Sequence, residues 1–312
     1  MIKYFSLPDY WNHFFYIQAL VDYRKLHPDY FYSDRIFNSA YGLPPGAIWN
    51  GGRVPANRIP SLKQEDVYKY FSQLPDFHLR HTCTNLVLTE EMLKDPASNL
   101  IIDKYYKPED YIIFGSELLH QYLLSKIPKE HFIYSTTLGL ENINIVNQYS
   151  KDNIVVLNYK YNHDNEYLKQ LTHPENIEIL CAELCQDNCP FRQKHYIAMS
   201  KVNVGLPLEE DESCYCMLPE DKSEGQGSIV NWYLATLKHS ISNDRINELS
   251  NMGFQYFKIA GRGRFEGYYL AFVVYYLILP EYQELATQEI MRLAKKYKMM
   301  YEHFQPNKFR SI

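Results

Sequence analysis

Four of the six cysteines in this 312-residue chain lie in two close pairs, Cys185 with Cys189 and Cys214 with Cys216. Thiolates are soft metal ligands, and four of them fill a tetrahedral zinc site or hold the irons of a 4Fe–4S cluster. The first pair sits on a polar loop containing Asp187 and Asn188, which has no need of two buried thiols. The second pair occupies alternate positions of an extended segment, so both side chains point the same way and can chelate. The two pairs are separated by 24 residues, which matches neither a zinc ribbon nor the three-cysteine spacing of radical enzymes, and both metals stay open. Pro190 suits the first position of a helix and would put Cys189 at its cap, where the helix dipole favours a thiolate. Cys181, alternating with Leu180 in an apolar stretch, reads as a small core residue. Cys83 could approach from across the same site.

A second set of residues suits anion binding. Arg53, Asn85 and Arg262 follow apolar strand-like segments, and Lys258 lies in one. Arg192 and His195 stand one turn apart on the helix expected after Cys189. They would contact an anionic substrate, hydrogen-bond a cluster sulfur, or simply form surface ion pairs.

These residues need a scaffold that gathers distant segments. Eight short β-rich stretches alternate with helical ones: Lys3–Ser6, Ala47–Trp49, His78–Thr82, Tyr111–Phe114, His131–Ser135, Asn153–Leu157, Ile177–Ala182 and Tyr256–Ile259. Helix-start chemistry punctuates them, with a Ser61/Gln64 capping box and with Ser116, Asp164 and Ser242 each just before a periodic segment. Eight such units predict an α/β fold, a (β/α)8 TIM-like barrel, in a single domain over 1–312. In such a barrel the residues after each strand converge on one mouth. A long acidic insertion over about 200–227 carries the second cysteine pair, and two extra helices follow at about 265–279 and 281–304. In the last helix Leu285, Ile290, Met291 and Leu293 are expected to face the core. Gly261, Gly263 and Gly267 follow a strand but lack the spacing of a dinucleotide-binding loop.

Composition narrows the function classes. The charge of −5 and the acidic run Glu209 to Glu212 argue against unaided nucleic-acid binding. The aromatic share of 15% follows helix and strand patterns and reads as packing rather than a base-stacking platform. The apolar run Tyr268–Leu279 is too short to span a membrane, the N-terminus lacks the unbroken apolar stretch of a signal peptide, and the clustered cysteines suit a reducing compartment. The expected setting is cytoplasmic. The expected partners are an anionic small-molecule substrate or cosubstrate and, in some readings, another protein.

The run CQDNCPFRQKHY, the segment FQYFKIAGRGR with tyrosines after it, and IWNGGR together resemble the peptidase U32 family, the collagenase-like group of barrel proteins. YSTTLGL and VVLNYKYN look like that family's middle strands. The resemblance implies an iron–sulfur cluster held by cysteines and an oxygen-independent hydroxylation, of RNA bases or of a quinone precursor. Other members are described as proteases. Two departures stand out: Ala260 replaces the family's glutamate, and the family's cysteines are spaced more widely. Cys185 and Cys189 carry over best, and Cys83 or Cys181 could replace one of the second pair. The leading expectation is an iron–sulfur enzyme with its cluster at the mouth and with Arg53, Lys258 and Arg262 on an anionic group. The alternatives are a non-catalytic accessory protein with structural zinc, and a peptidase, although the chain has neither a His-Glu-x-x-His motif nor a nucleophile elbow.

Overall fold

Eight strands, each too short to be stable alone, pair in parallel and in sequence order until the last meets the first. They are β1 (Lys3–Pro8), β2 (Arg35–Gly42), β3 (His78–Cys83), β4 (Tyr111–Phe114), β5 (Phe132–Tyr134), β6 (Ile154–Val156), β7 (Ile177–Cys181) and β8 (Tyr256–Ile259). Tyr4 pairs with Tyr256 and Ser6 with Lys258, so no edge is left open among them. The structure, a computed structural model, describes residues 1–52, 62–209, 229–261 and 266–303. The barrel is of the (β/α)8 TIM-like class.

Parallel strands need crossover connections, and helices up to α9 supply them, while two more follow β8. In chain order they are α1 (Phe14–Leu26), α2 (Gln64–Phe71), α3 (Pro96–Leu100), α4 (Glu117–Leu123), α5 (Ile143–Ser150), α6 (Asn165–Leu168), α7 (Arg192–Asn203), α8 (Ile229–Thr236), α9 (Asn243–Asn251), α10 (Glu266–Leu277) and α11 (Gln283–His303). The side chains of Ser116, Asp164 and Ser242 cap α4, α6 and α9 by accepting from backbone N–H groups, as their positions predict. At α2 the expectation differs: Lys63 flanks a helix that starts at Gln64, two residues too late for Gln64 to close a capping box, and Ser61 lies outside the described residues.

Side-chain alternation splits each strand between two cores. Outward residues such as Phe5, Leu79, Ile112, Val155, Ile179 and Phe257 join the main core beneath the helices. Inward residues form a smaller apolar cluster of Tyr41, Ile113, Ile133, Ile154 and Val156, with Tyr111 and Tyr256 against it. Within the barrel Arg80 pairs with Glu178, both almost fully buried. Burying a carboxylate is tolerable there only because the guanidinium pairs with one of its oxygens.

Three expectations are corrected. The second strand is Arg35–Gly42, not Ala47–Trp49. Its Arg, Asn and Ser residues mask the apolar pattern, yet Arg35 is buried, donating to Asn243 Oδ1 at 2.6 Å and to the Tyr276 carbonyl. Ala47–Trp49 belongs to the following loop, where the Trp49 indole donates to the Met92 carbonyl at 3.1 Å. On α11, Ile290 is buried but Leu285 and Met291 are 46% and 48% exposed, while Ala286 and Ala294 complete the packed stripe against α1 and α10. The insertion begins later than expected, because Ser200 to Asn203 form the last turn of α7, and residues 210–228 lie outside the described set. No helix of the described residues is long and apolar enough to cross a membrane.

Candidate active site

The loop between β7 and α7 forms one wall of the barrel mouth. It leaves the strand through Ala182, a non-glycine residue with a left-handed φ of 57°. Such a conformation costs on the order of 1 kcal/mol and must be held in place. Tyr233 and Tyr268 hold it: the Ala182 N–H donates to the Tyr233 hydroxyl at 3.1 Å, and the Tyr268 hydroxyl donates to the Ala182 carbonyl.

Glu183 then organises the cysteine loop. Its Oε1 accepts from the Cys185 N–H and its Oε2 from Arg192 Nη2, both at 3.0 Å. Burial alone would raise the Glu183 carboxyl, but the adjacent Arg192 outweighs it and holds the group below its ordinary value. Arg192 also stacks 4.3 Å over Tyr159 and 5.0 Å over Tyr196. The Tyr159 hydroxyl donates to the Gln186 carbonyl at 2.7 Å. From the other side the buried His239 bonds the Glu183 carbonyl through Nε2 at 2.9 Å and the Asp187 carboxylate through Nδ1. The loop is thus clamped at both ends.

Cys185 and Cys189 are half-buried on this clamped loop. Burial, and then the Glu183 carboxylate, push the Cys185 thiol up, with Arg192 opposing. Cys189 is not a helix cap: α7 starts at Arg192 with Phe191 flanking it, and the Cys189 carbonyl merely accepts from the Arg192 N–H at 3.3 Å. Pro190 falls in the turn before the helix, so the dipole argument for a Cys189 thiolate does not hold. Cys83 and Cys181 take outward strand positions and pack in the main core, 1% and 0% exposed. Cys214, Cys216, Arg53 and Arg262 lie outside the described residues.

A cavity of about 190 Å³ opens at the C-terminal ends of the strands, where barrels of this type carry their sites. Cys185, Arg192 and His195 line its rim, and Lys258 lines its floor. The Lys258 ammonium lies 3.8 Å from the centre of the Tyr41 ring and 3.9 Å from Glu178 Oε2. A second cavity of about 240 Å³ adjoins it across Arg192, Thr136 and Tyr196, and Cys189 lines that one. Asn85 does not line the mouth. It is fully buried, donating to the Ile48 and Ser200 carbonyls and accepting from the Val87 N–H, and so ties its own loop to the loop after β2 and to the last turn of α7. Gly51 is needed beside it, because a Cβ there would stand 1.9 Å from the Thr84 carbonyl oxygen.

Sequence reasoning missed Thr82, Thr84, Arg80, Glu178 and His239. The inward alternation of β3 and β7 could have found the strand residues; nothing local marks His239, which acts through a contact 52 residues away.

The donor set suits a metal–sulfur centre as far as it is described. Two thiols four positions apart share the loop that leads into Arg192, the first residue of α7, whose buried Nε has no hydrogen-bond partner among the described residues and is a ready donor to a sulfur ligand. Among the described residues no group of three or more His, Cys, Asp and Glu side chains could hold a metal by itself. Compared with known proteins, the chain matches no family model, no curated protein and no solved structure.

Proposed function

We propose that the chain is an enzyme acting on a small anionic molecule at the barrel mouth, with an iron–sulfur cluster held there by Cys185, Cys189, Cys214 and Cys216. The observation that carries this reading is that Cys185, Arg192 and Lys258 line a single cavity at the C-terminal ends of the strands. When bound, the cluster would supply redox chemistry, and the resemblance to the U32 family suggests an oxygen-independent hydroxylation. Lys258 would draw the anion to the floor of the cavity. Arg192, fixed by Glu183, would hold one wall and direct its free N–H toward sulfur. Glu183 and His239 would keep the cysteine loop in position before any ligand arrives, so little ordering is needed on binding. A cluster on four thiolates fits a reducing, cytoplasmic setting.

Anaerobic purification with metal analysis tests this. Iron and sulfide with a broad visible absorption band, both lost in Cys185→Ala and Cys189→Ala, are expected. A colourless protein with stoichiometric zinc would replace the redox enzyme with the accessory reading, in which chelation lowers stability by several kcal/mol.

A further inference from the structure

One side of α11 is packed and the other is not. Ala286, Ile290 and Ala294 are buried, and Leu293, Tyr297 and Tyr301 lie against the same core, a spacing of three to four residues that turns the opposite side to solvent. The solvent side of the second half carries Arg292, Lys295, Lys296 and Lys298, all exposed. Among the described residues none of these four side chains forms an ion pair or a hydrogen bond. Met291, Met299 and Met300 stand among them, 48%, 61% and 46% exposed.

The acidic groups around this stripe are few and turned elsewhere. From Ile290 to Tyr301 the helix holds four cations and no acid, on a chain whose net charge is −5. Glu284 and Glu289 belong to its first half, where Glu289 faces His27 at 3.9 Å, and Glu302 follows at the end. From the neighbouring helices come Asp22 and Asp66, which accept from the hydroxyls of Tyr297 and Tyr301 on the packed side; Asp22 also pairs with Lys25. The outer face is therefore locally cationic, and it attracts anions.

Shape and side-chain type narrow the class of anion. A single helix side is convex, whereas peptides dock in grooves or along strand edges. Its two tyrosines are turned inward, so it offers no ring on which bases could stack. Long, flexible methionines between cations suit a soft surface with charge outside and hydrocarbon beneath. We propose that the outer face of α11 rests on a membrane surface containing anionic lipids, with Arg292, Lys295, Lys296 and Lys298 among the headgroups and the three methionines entering the boundary with the acyl chains. The helix lies flat on that surface, because its other side is fixed to α1 and α10. Tyr301 packs 5.6 Å from Phe15 at the start of α1, which sets the basic half toward the end of the barrel where the mouth opens.

The test is flotation of the full chain with vesicles of phosphatidylcholine alone or mixed with phosphatidylserine. Binding to the mixed vesicles only, reversed by salt, is expected. Each cation near an anionic surface contributes about 1 kcal/mol, roughly fivefold, so Lys295→Ala, Lys296→Ala and Lys298→Ala together should weaken binding on the order of 100-fold. Met299→Ser with Met300→Ser should weaken it several-fold and leave its salt dependence unchanged. All five side chains are exposed, so both variants should melt with the parent. Failure to bind the mixed vesicles, equal binding to neutral ones, or undiminished binding in the lysine variant overturns the proposal. Tighter binding of single-stranded RNA or of polyglutamate than of the mixed vesicles overturns it too, and assigns the stripe to another polyanion. Iron content should be the same in every variant, so the cluster at the mouth and the lipid surface stand or fall separately.

Discussion

His239 grips Asp187 twice, through its ring Nδ1 and through its backbone N–H at 3.2 Å, although the two residues are 52 positions apart. Its other ring nitrogen reaches the Glu183 carbonyl at 2.9 Å. The segment carrying Cys185 is therefore held from outside by the loop between α8 and α9. Such an arrangement presets the geometry of the loop.

Removing that clamp should be visible at the thiols. His239→Ala deletes both ring hydrogen bonds and is expected to lower stability by about 1–3 kcal/mol. It should also speed labelling of Cys185 and Cys189 by an aromatic disulfide reagent, measured in the native state. Unchanged labelling rates would show that the loop holds itself.

The Arg80–Glu178 pair gives a second prediction. Breaking a buried ion pair from one side strands a charge, so Arg80→Met should cost about 3–5 kcal/mol in urea unfolding. Replacing both partners, Arg80→Met with Glu178→Leu, should restore most of that loss. If the double variant is no better than the single one, Glu178 has a further role, for which Lys258 at 3.9 Å is the available partner.

Acid sensitivity follows from His78. Burial, and then Arg80, push this imidazole down to about 3, and Arg80 Nε donates to its ring at 3.4 Å. The unfolded chain takes up a proton near pH 6.5, well before the folded one. Stability is therefore fully present above about pH 6.5 and is lost as pH falls from there toward 3. Asp34 adds to the lower part of that window: burial alone would raise its carboxyl, but Lys3 outweighs it and holds it low. Urea midpoints measured between pH 7.5 and 4 should fall steadily. In His78→Phe, which keeps the ring contact with Tyr111, the slope between pH 6.5 and 4 should flatten.

How much of this was legible depends on whether a feature is local. The barrel and three of its helix caps are local patterns, a two-residue alternation and a Ser or Asp before a helical run, and these were readable. β2 was not, because Arg35, Asn38 and Ser39 break the apolar pattern; the strand is fixed by its pairing with β1 and β3 and by the contacts of Arg35 with Asn243 and Tyr276. The start of α7 was misread because Pro190 fits a first helical turn as readily as the turn before one. At the site, Lys258 and Arg192 stood out by charge. The hydroxyls of Thr82 and Thr84 did not, since an unsatisfied oxygen is defined only by what surrounds it.

Gly51 and Gly46 make a paired test of backbone approach. At Gly51 an added methyl would stand 1.9 Å from the Thr84 carbonyl oxygen, which is backbone and cannot rotate aside. At Gly46 nothing lies within 4 Å, and only its left-handed φ of 89° opposes a side chain. Gly46→Ala should therefore cost about 1 kcal/mol, whereas Gly51→Ala should cost more and displace the loop that borders the cavity. Paired unfolding curves give the ordering. Equal losses would mean that the loop after β2 yields without penalty and does not shape the mouth.

The four described cysteines should divide by location. Cys83→Ala and Cys181→Ala remove buried sulfurs from the core behind the strands and are expected to lower stability by about 1 kcal/mol each while leaving metal content unchanged. Cys185→Ala and Cys189→Ala remove half-buried thiols from the loop between β7 and α7, so they should change thermal stability little in metal-free protein and, on the proposed cluster, abolish metal binding. Metal analysis beside thermal denaturation of the four variants reads both effects. Loss of metal in Cys181→Ala would require that β7 turn its outward face to the mouth, and the pairing of Cys181 with Ile259 in the barrel forbids that rotation.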